Sequence, residues 1–140
     1  MIQHNIISAK NYAYIEIRQA PPLAEFISAA RLFISDALYT ADLDRICDFS
    51  QANLSHITHD DLMRFVKFAV ENIKLHKSTR CALVAPDKER SGIFEAFAQG
   101  VDSGNFRVFM QPEEAVAWIA TEQIIRAEAP AVPTQQFDKI

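Results

Sequence analysis

The chain has 140 residues, 49% of them hydrophobic and 23% charged, proportions of an ordinary globular domain long enough to bury a core. A net charge of −4 argues against a nucleic-acid surface, which needs clustered cations. No run approaches the roughly 20 apolar residues of a membrane span, and Met1–Asn5 has neither the basic nor the apolar part of a signal peptide, so no membrane span and a cytoplasmic location are expected.

Ile2–Ala9 and Tyr12–Arg18 each read as strands. In the second, Tyr12, Tyr14, Glu16 and Arg18 alternate with Ala13, Ile15 and Ile17, the period of a half-buried strand. Lys10–Asn11 separates the two at hairpin distance without a glycine. Pro21–Pro22 then starts a helix. Leu23, Phe26, Ile27, Ala30, Phe33, Ile34, Ala37 and Leu38 share one face of about four turns, and Leu32 alone is apolar on the polar side.

Leu43–Phe49 reads as a strand interrupted by Asp44, Arg45 and Asp48, followed by a turn-rich connection over Ser50–Ile57. Thr58 with Asp60 and Asp61 is a helix start. That helix is expected to run to about His76, with Leu62, Phe65, Val66, Ala69 and Ile73 facing the core and Lys74, His76 and Lys77 at its negative end. Phe68 and Leu75 fall off the core face, as an apolar stripe left for a partner.

Cys81–Ala85 is an uninterrupted apolar run, the pattern of a strand buried on both faces. The charged turn Asp87–Arg90 leads into a helix from Ser91 to about Val101, and Asp102–Gly104 turns the chain. Asn105–Met110 is a strand with Phe106, Val108 and Met110 on one face and Arg107 and Phe109 on the other. Pro112–Glu114 opens a last helix whose buried side carries Ala115, Val116, Trp118 and Ile119.

Strands alternating with helices in this order predict an α/β fold. Its mixed sheet has about five strands, an N-terminal antiparallel hairpin with the rest parallel, covered by four helices. Residues 1–126 form one domain. Residues 127–140, with two prolines and no periodicity, form a flexible tail.

In such a sheet ligands gather at the carboxyl ends of the strands. Asp48, Ser50, Thr58, Pro86, Arg90, Ser91 and Gly92 are expected at that edge. Two roles stand open for Asp48, a functional carboxylate or a cap for the turn that follows. Ser91–Gly92 beside Lys88 and Arg90 is one way to hold an anion, but Asp87 and Glu89 are interleaved and the loop is not glycine-rich. His56, His59, Asp60 and Asp61 do not have a convergent zinc spacing. Cys47 and Cys81 lie in apolar runs and read as reduced core residues. No metal or other cofactor is implied, and no nucleophile elbow or activated cysteine suggests an enzyme.

The runs Cys47-Asp48-Phe49-Ser50, Thr58-x-x-Asp61-Leu62, Ala82-Leu83-Val84-Ala85-Pro86, Ser91-Gly92-Ile93-Phe94, Arg107-Val108-Phe109 and Glu114-Ala115-Val116-Ala117-Trp118-Ile119 resemble the small bacterial STAS/SpoIIAA-like proteins (sulfate transporter and anti-sigma factor antagonist). The resemblance spans roughly Pro22 to Ile119. It implies a mixed sheet with helices and a non-catalytic role, binding other proteins or, in related CRAL-TRIO-like members, small or lipid-like ligands. Where classical antagonists carry a phosphorylatable serine, this chain has His56-Ile57-Thr58-His59-Asp60, with Thr58 the hydroxyl at the helix start. A glycine often found before the first helix is replaced by Ala20-Pro21-Pro22.

The function expected is therefore a non-enzymatic regulatory or protein-interaction domain without a clear phosphorylation switch. A protein partner and a homodimer through Phe68 and Leu75 go with it. The alternative is a carrier of a small apolar ligand in the phenylalanine-rich interior near Phe26, Phe33 and Phe65.

Overall fold

The computed structural model describes residues 1–101 and 105–128. Five strands form one sheet in the order β1 (Ile2–Ile7), β2 (Tyr12–Gln19), β3 (Asp44–Ala52), β4 (Cys81–Val84) and β5 (Phe106–Phe109). β1 pairs antiparallel with β2, and β2, β3, β4 and β5 pair in parallel. Helices α1 (Leu23–Ile34), α2 (His59–Asn72) and α3 (Ser91–Val101) join the parallel strands, and α4 (Pro112–Glu128) follows β5.

Neighbouring strands follow one another in sequence, so right-handed crossovers put α1, α2 and α3 on one face and leave the other to α4. The side chains agree. Ile46, Ala82 and Val84 pack with Ala115 and Ile119 of α4. On the opposite face Leu83 and Ala85 pack with Leu54 and Phe94, and Ala13 packs with Phe33 and Leu43.

Several boundaries differ from those read in the sequence, each for a local reason. β1 ends at Ile7, and Ser8–Lys10 is a short 3-10 turn. Asn11 takes φ 51°, the left-handed conformation that asparagine tolerates without glycine. α1 stops at Ile34 rather than Leu38. The Ser35 hydroxyl bonds back to the carbonyls of Arg31 and Leu32, and Asp36 Oδ1 accepts from the Leu38 N–H, so side chains take over from the helical ladder.

β3 runs on through Ser50–Ala52, where a turn was expected, because β2 offers Arg18 and Gln19 as partners beyond an irregularity at Glu16/Arg18. α2 ends at Asn72, whose amide bonds to the Phe68 carbonyl. Lys74, His76 and Lys77 therefore lie past the helix. α4 continues through Ala127 and Glu128, where a tail was expected; residues 129–140 and the expected turn at 102–104 lie outside the described residues.

One polar cluster ties the elements together. Asp44 is fully buried at the start of β3. Its carboxylate accepts from the Arg80 N–H at 2.9 Å, from Gln123 Nε2 at 2.9 Å and from Arg126 Nη1 at 3.1 Å, with Arg126 Nη2 closing the fork. Arg126 also donates to the Ser78 carbonyl. A buried carboxylate is tolerable only with such partners, and these bind the end of α4 to the starts of β3 and β4.

Replacing Arg126 with Met leaves that carboxylate short of its charge partner and is expected to lower stability by roughly 3 kcal/mol. Ile124→Ala, exposed on the same helix, is expected to change it by less than about 0.5 kcal/mol. Urea denaturation of both variants measures the difference.

Candidate functional site

The carboxyl edge of the sheet separates residues that sequence reasoning grouped. Asp48 is in register with Val84 and points to the α4 face, only 6% exposed. Its Oδ1 accepts from the Ser50 N–H at 2.9 Å and its Oδ2 from the Tyr14 hydroxyl. Burial and the Asp48 carboxylate push the Tyr14 phenol well above its ordinary pKa, with smaller contributions from Glu16 and Glu113. The capping role considered for Asp48 is thus present in the Ser50 bond.

On the other face, Thr58 and Gly92 line one small cleft of about 240 Å³ with Ile57, His59, Leu62 and Ile93. Thr58 is fully engaged as a cap: its hydroxyl accepts from the Asp61 N–H, and the Asp61 carboxylate accepts from the Thr58 N–H, both at 3.1 Å. The bond from the Thr58 N–H, helped by the Thr58 side chain, holds the Asp61 carboxyl below its usual range. The loop after half-buried Pro86 is bonded within itself, Arg90 N–H to Asp87 Oδ1 at 2.8 Å and the Ser91 hydroxyl to the Lys88 carbonyl at 2.7 Å. Gly92 faces open space. His56 Nε2 sits 2.7 Å from the Pro21 carbonyl, and among the described residues no three His, Cys, Asp or Glu side chains come together as a metal cluster.

The outer stripe expected on α2 is not there. Phe68 is 8% exposed, its ring 5.9 Å from that of Phe65 and capped by the Arg31 guanidinium at 5.2 Å. The helix presents a wider apolar face than a single stripe because α1 and α3 flank it. Gly100 of α3 approaches so closely that a Cβ there would lie 3.1 Å from Val66 Cγ1. Leu75 lies beyond the helix in a loop, half-buried and turned inward.

What it turns toward is an apolar cavity of about 390 Å³ between the sheet and α1–α3. This is within the range of small-molecule sites. The sheet contributes Ile15 and Ile17 from β2, Cys47 and Phe49 from β3 and Leu83 from β4. The helices contribute Phe26 and Phe33 from α1, Phe65 from α2 and Phe94 and Phe97 from α3. Small residues at Ala29, Ala30 and Ala69 leave room that the rings do not fill. The rings instead form a frame, with Phe26–Phe49 and Phe26–Phe65 centroids 6.2 Å apart and Phe65–Phe97 5.8 Å apart. Leu32 and Val70, 66% and 58% exposed, also line it, so it reaches the surface between α1 and α2.

Arg45, which interrupts the apolar pattern of β3, belongs to this cavity as well. The signal was a cation in a central strand, where burial is costly without a reason; the alternation of β3 places it on the same face as Cys47 and Phe49.

A search of solved structures finds a match at TM-score 0.60 and 13% identity, covering 85% of this chain and 92% of the other. It is the crystal structure of a DUF3478-family protein with a SpoIIAA-like fold from Shewanella loihica PV-4. The fold is SpoIIAA-like. At this identity the likeness concerns the arrangement of strands and helices. No protein-family model and no curated protein matches the sequence. No helix among the described residues is long and apolar enough to cross a membrane.

The two cysteines report on the cavity wall. Burial pushes the Cys47 thiol up to about 12 and the Cys81 thiol up to about 11, the nearby Arg45 charge opposing but not cancelling it. The partial exposure of Cys47 is to the apolar cavity, where an anion is not solvated. Folded values above the unfolded one mean that this contribution to stability is complete below about 8.5 and is lost as pH rises toward the folded values. At pH about 8.5, alkylation of both thiols is expected to be slow in the native protein and fast in denaturant. Fast native labelling of Cys47 would show that bulk water fills the cavity.

Proposed function

We propose that the protein is a non-enzymatic binding domain that holds a small apolar ligand between the sheet and α1–α3. The observation that carries this reading is the cavity of about 390 Å³ walled by Phe26, Phe33, Phe49 and Phe65. Protein interiors are packed to crystal-like density, and an unfilled apolar space of this size leaves its walls without dispersion contacts. A ligand restores those contacts. Phenylalanine suits the task because it offers large apolar area with few rotatable bonds.

A second reading, an interaction domain with a protein partner or a second copy of itself, is favoured by a different observation. Ile124 and Ile125 are adjacent and more than half exposed near the end of α4. That surface, on the opposite side of the sheet, takes the place expected for Phe68 and Leu75. It is compatible with the first reading, since ligand and partner would engage opposite faces.

The first reading predicts saturable binding of dodecanol, measured by calorimetry. Ala30→Phe, which places a ring in the cavity, is expected to weaken binding at least about tenfold while thermal stability holds or rises. Binding unchanged by the filled cavity would place the apolar site elsewhere. The second reading predicts self-association in sedimentation that Ile124→Lys removes; a monomer at all concentrations removes the self-associating form of that reading.

A further inference from the structure

The wall of the cavity carries a guanidinium that the fold itself does not account for. Arg45 is 5% exposed. Its Nε donates to the Leu43 carbonyl at 3.3 Å and its Nη2 to the Tyr39 hydroxyl at 3.0 Å. The plane of the group lies beside the rings of Phe33 and Tyr39, at 5.2 and 5.3 Å from their centroids. These contacts fix the side chain and stabilise it through the ring faces, but none of them neutralises it. Among the described residues no carboxylate pairs with Arg45, whereas Arg18, Arg80 and Arg126 each have one.

Two of the five N–H donors of the guanidinium are used by those bonds, and no protein acceptor among the described residues bonds Nη1. No buried side-chain nitrogen or oxygen among the described residues is left without a hydrogen bond, so Nη1 must touch accessible space. Arg45 lines the cavity, and its charge acts on Cys47 and Cys81 of the same wall.

The other ionisable groups on the cavity wall are committed. His4 Nε2 donates to Asp36 Oδ2 at 2.8 Å. Asp61 closes the capping box of α2. Cys47 and Cys81 stay protonated. One unneutralised cation with free, forked donors thus stands in an apolar chamber. Such a fork matches a carboxylate, accepting two parallel N–H bonds, better than any neutral group.

We infer that the ligand is a carboxylate-headed amphiphile, of the fatty-acid class, whose head group pairs with Arg45 while its chain lies among the phenylalanines toward Phe26, Phe49 and Phe94. This rests on the reading of the cavity as a ligand site. It adds the sign of the charge and the end at which the head is held. A single cation selects a single negative charge, because a dianion would bring a second charge with nothing to pair it. Arg45 begins β3 while Leu32 and Val70 stand near the ends of α1 and α2, so all three lie at the amino edge of the sheet; the head is held nearest the opening and the chain is withdrawn from water.

The test compares dodecanoate with dodecanol, which share a chain and differ in the head, by calorimetry at neutral pH on the wild-type protein, Arg45→Met and Arg45→Lys. Wild-type protein is expected to bind dodecanoate at least about tenfold more tightly than dodecanol. Arg45→Met is expected to lose that preference while keeping dodecanol affinity within about threefold, and Arg45→Lys to keep part of it, since the charge remains and the fork is gone. Equal wild-type affinity for the two probes overturns the inference and leaves the apolar site standing. Binding of neither overturns both. A preference that survives in Arg45→Met also overturns it, because the head is then held elsewhere. Should Arg45→Met fail to fold, the wild-type comparison with Arg45→Lys decides.

Discussion

The sequential strand order β1-β2-β3-β4-β5 is the constraint from which the rest of the structure follows. With right-handed crossovers it leaves α4 by itself on one face and gathers α1, α2 and α3 on the other. The α4 face is closed by Ile46, Ala82 and Val84 against Ala115 and Ile119, all essentially without exposure, and Asp44 locks the end of α4 in place. The opposite face must be covered by three helices lying side by side. The alanines at 29, 30 and 69 and the rings that frame them leave that cover incomplete. A close-packed face and a hollow one therefore come from the same topology.

β3 is where the two faces meet in one strand. Asp44, Ile46 and Asp48 serve the α4 side, while Arg45, Cys47 and Phe49 serve the cavity. Its polar residues have different local solutions. Asp44 is satisfied by Arg126, Gln123 and the Arg80 N–H, and Asp48 by Tyr14 and the Ser50 N–H. Arg45 is held by a carbonyl, a hydroxyl and two rings, which orient a charge without cancelling it. That contrast, within five residues of one strand, is what gives the cavity a polar end.

Much of the framework was legible from residue patterns. The alternation of Tyr12–Arg18 and of Phe106–Phe109 sorted residues onto two faces correctly, because a strand's period is fixed by its backbone, but β2 is not half-buried as expected, since Tyr12 and Tyr14 pack under α4. Thr58 and Asp61 form the cap that their spacing announced. Less legible were features set by partners distant in sequence. Ser50–Ala52 look like turn residues and become strand because β2 extends beside them. Phe68 lies off the helix's narrow core stripe and is buried because α2 has neighbours on both sides. The phenylalanines Phe26, Phe33 and Phe65 suggested an apolar interior that a ligand could use, but the size and outline of the cavity could not be read, since they depend on how side chains from all five strands and from α1, α2 and α3 meet. Arg45 offered the available clue: a cation in a strand flanked by two others, where burial without an acid partner is costly.

A ligand-binding role requires an open apolar space between the sheet and α1–α3 in the folded protein. Diffraction from crystals pressurised with xenon, which enters dry apolar cavities, tests this without assuming any ligand. Xenon density enclosed by Phe26, Phe65 and the β3 side chains is the predicted result. A face with no xenon, in which Phe26 and Phe65 have collapsed onto Cys47 and Phe49, would contradict it.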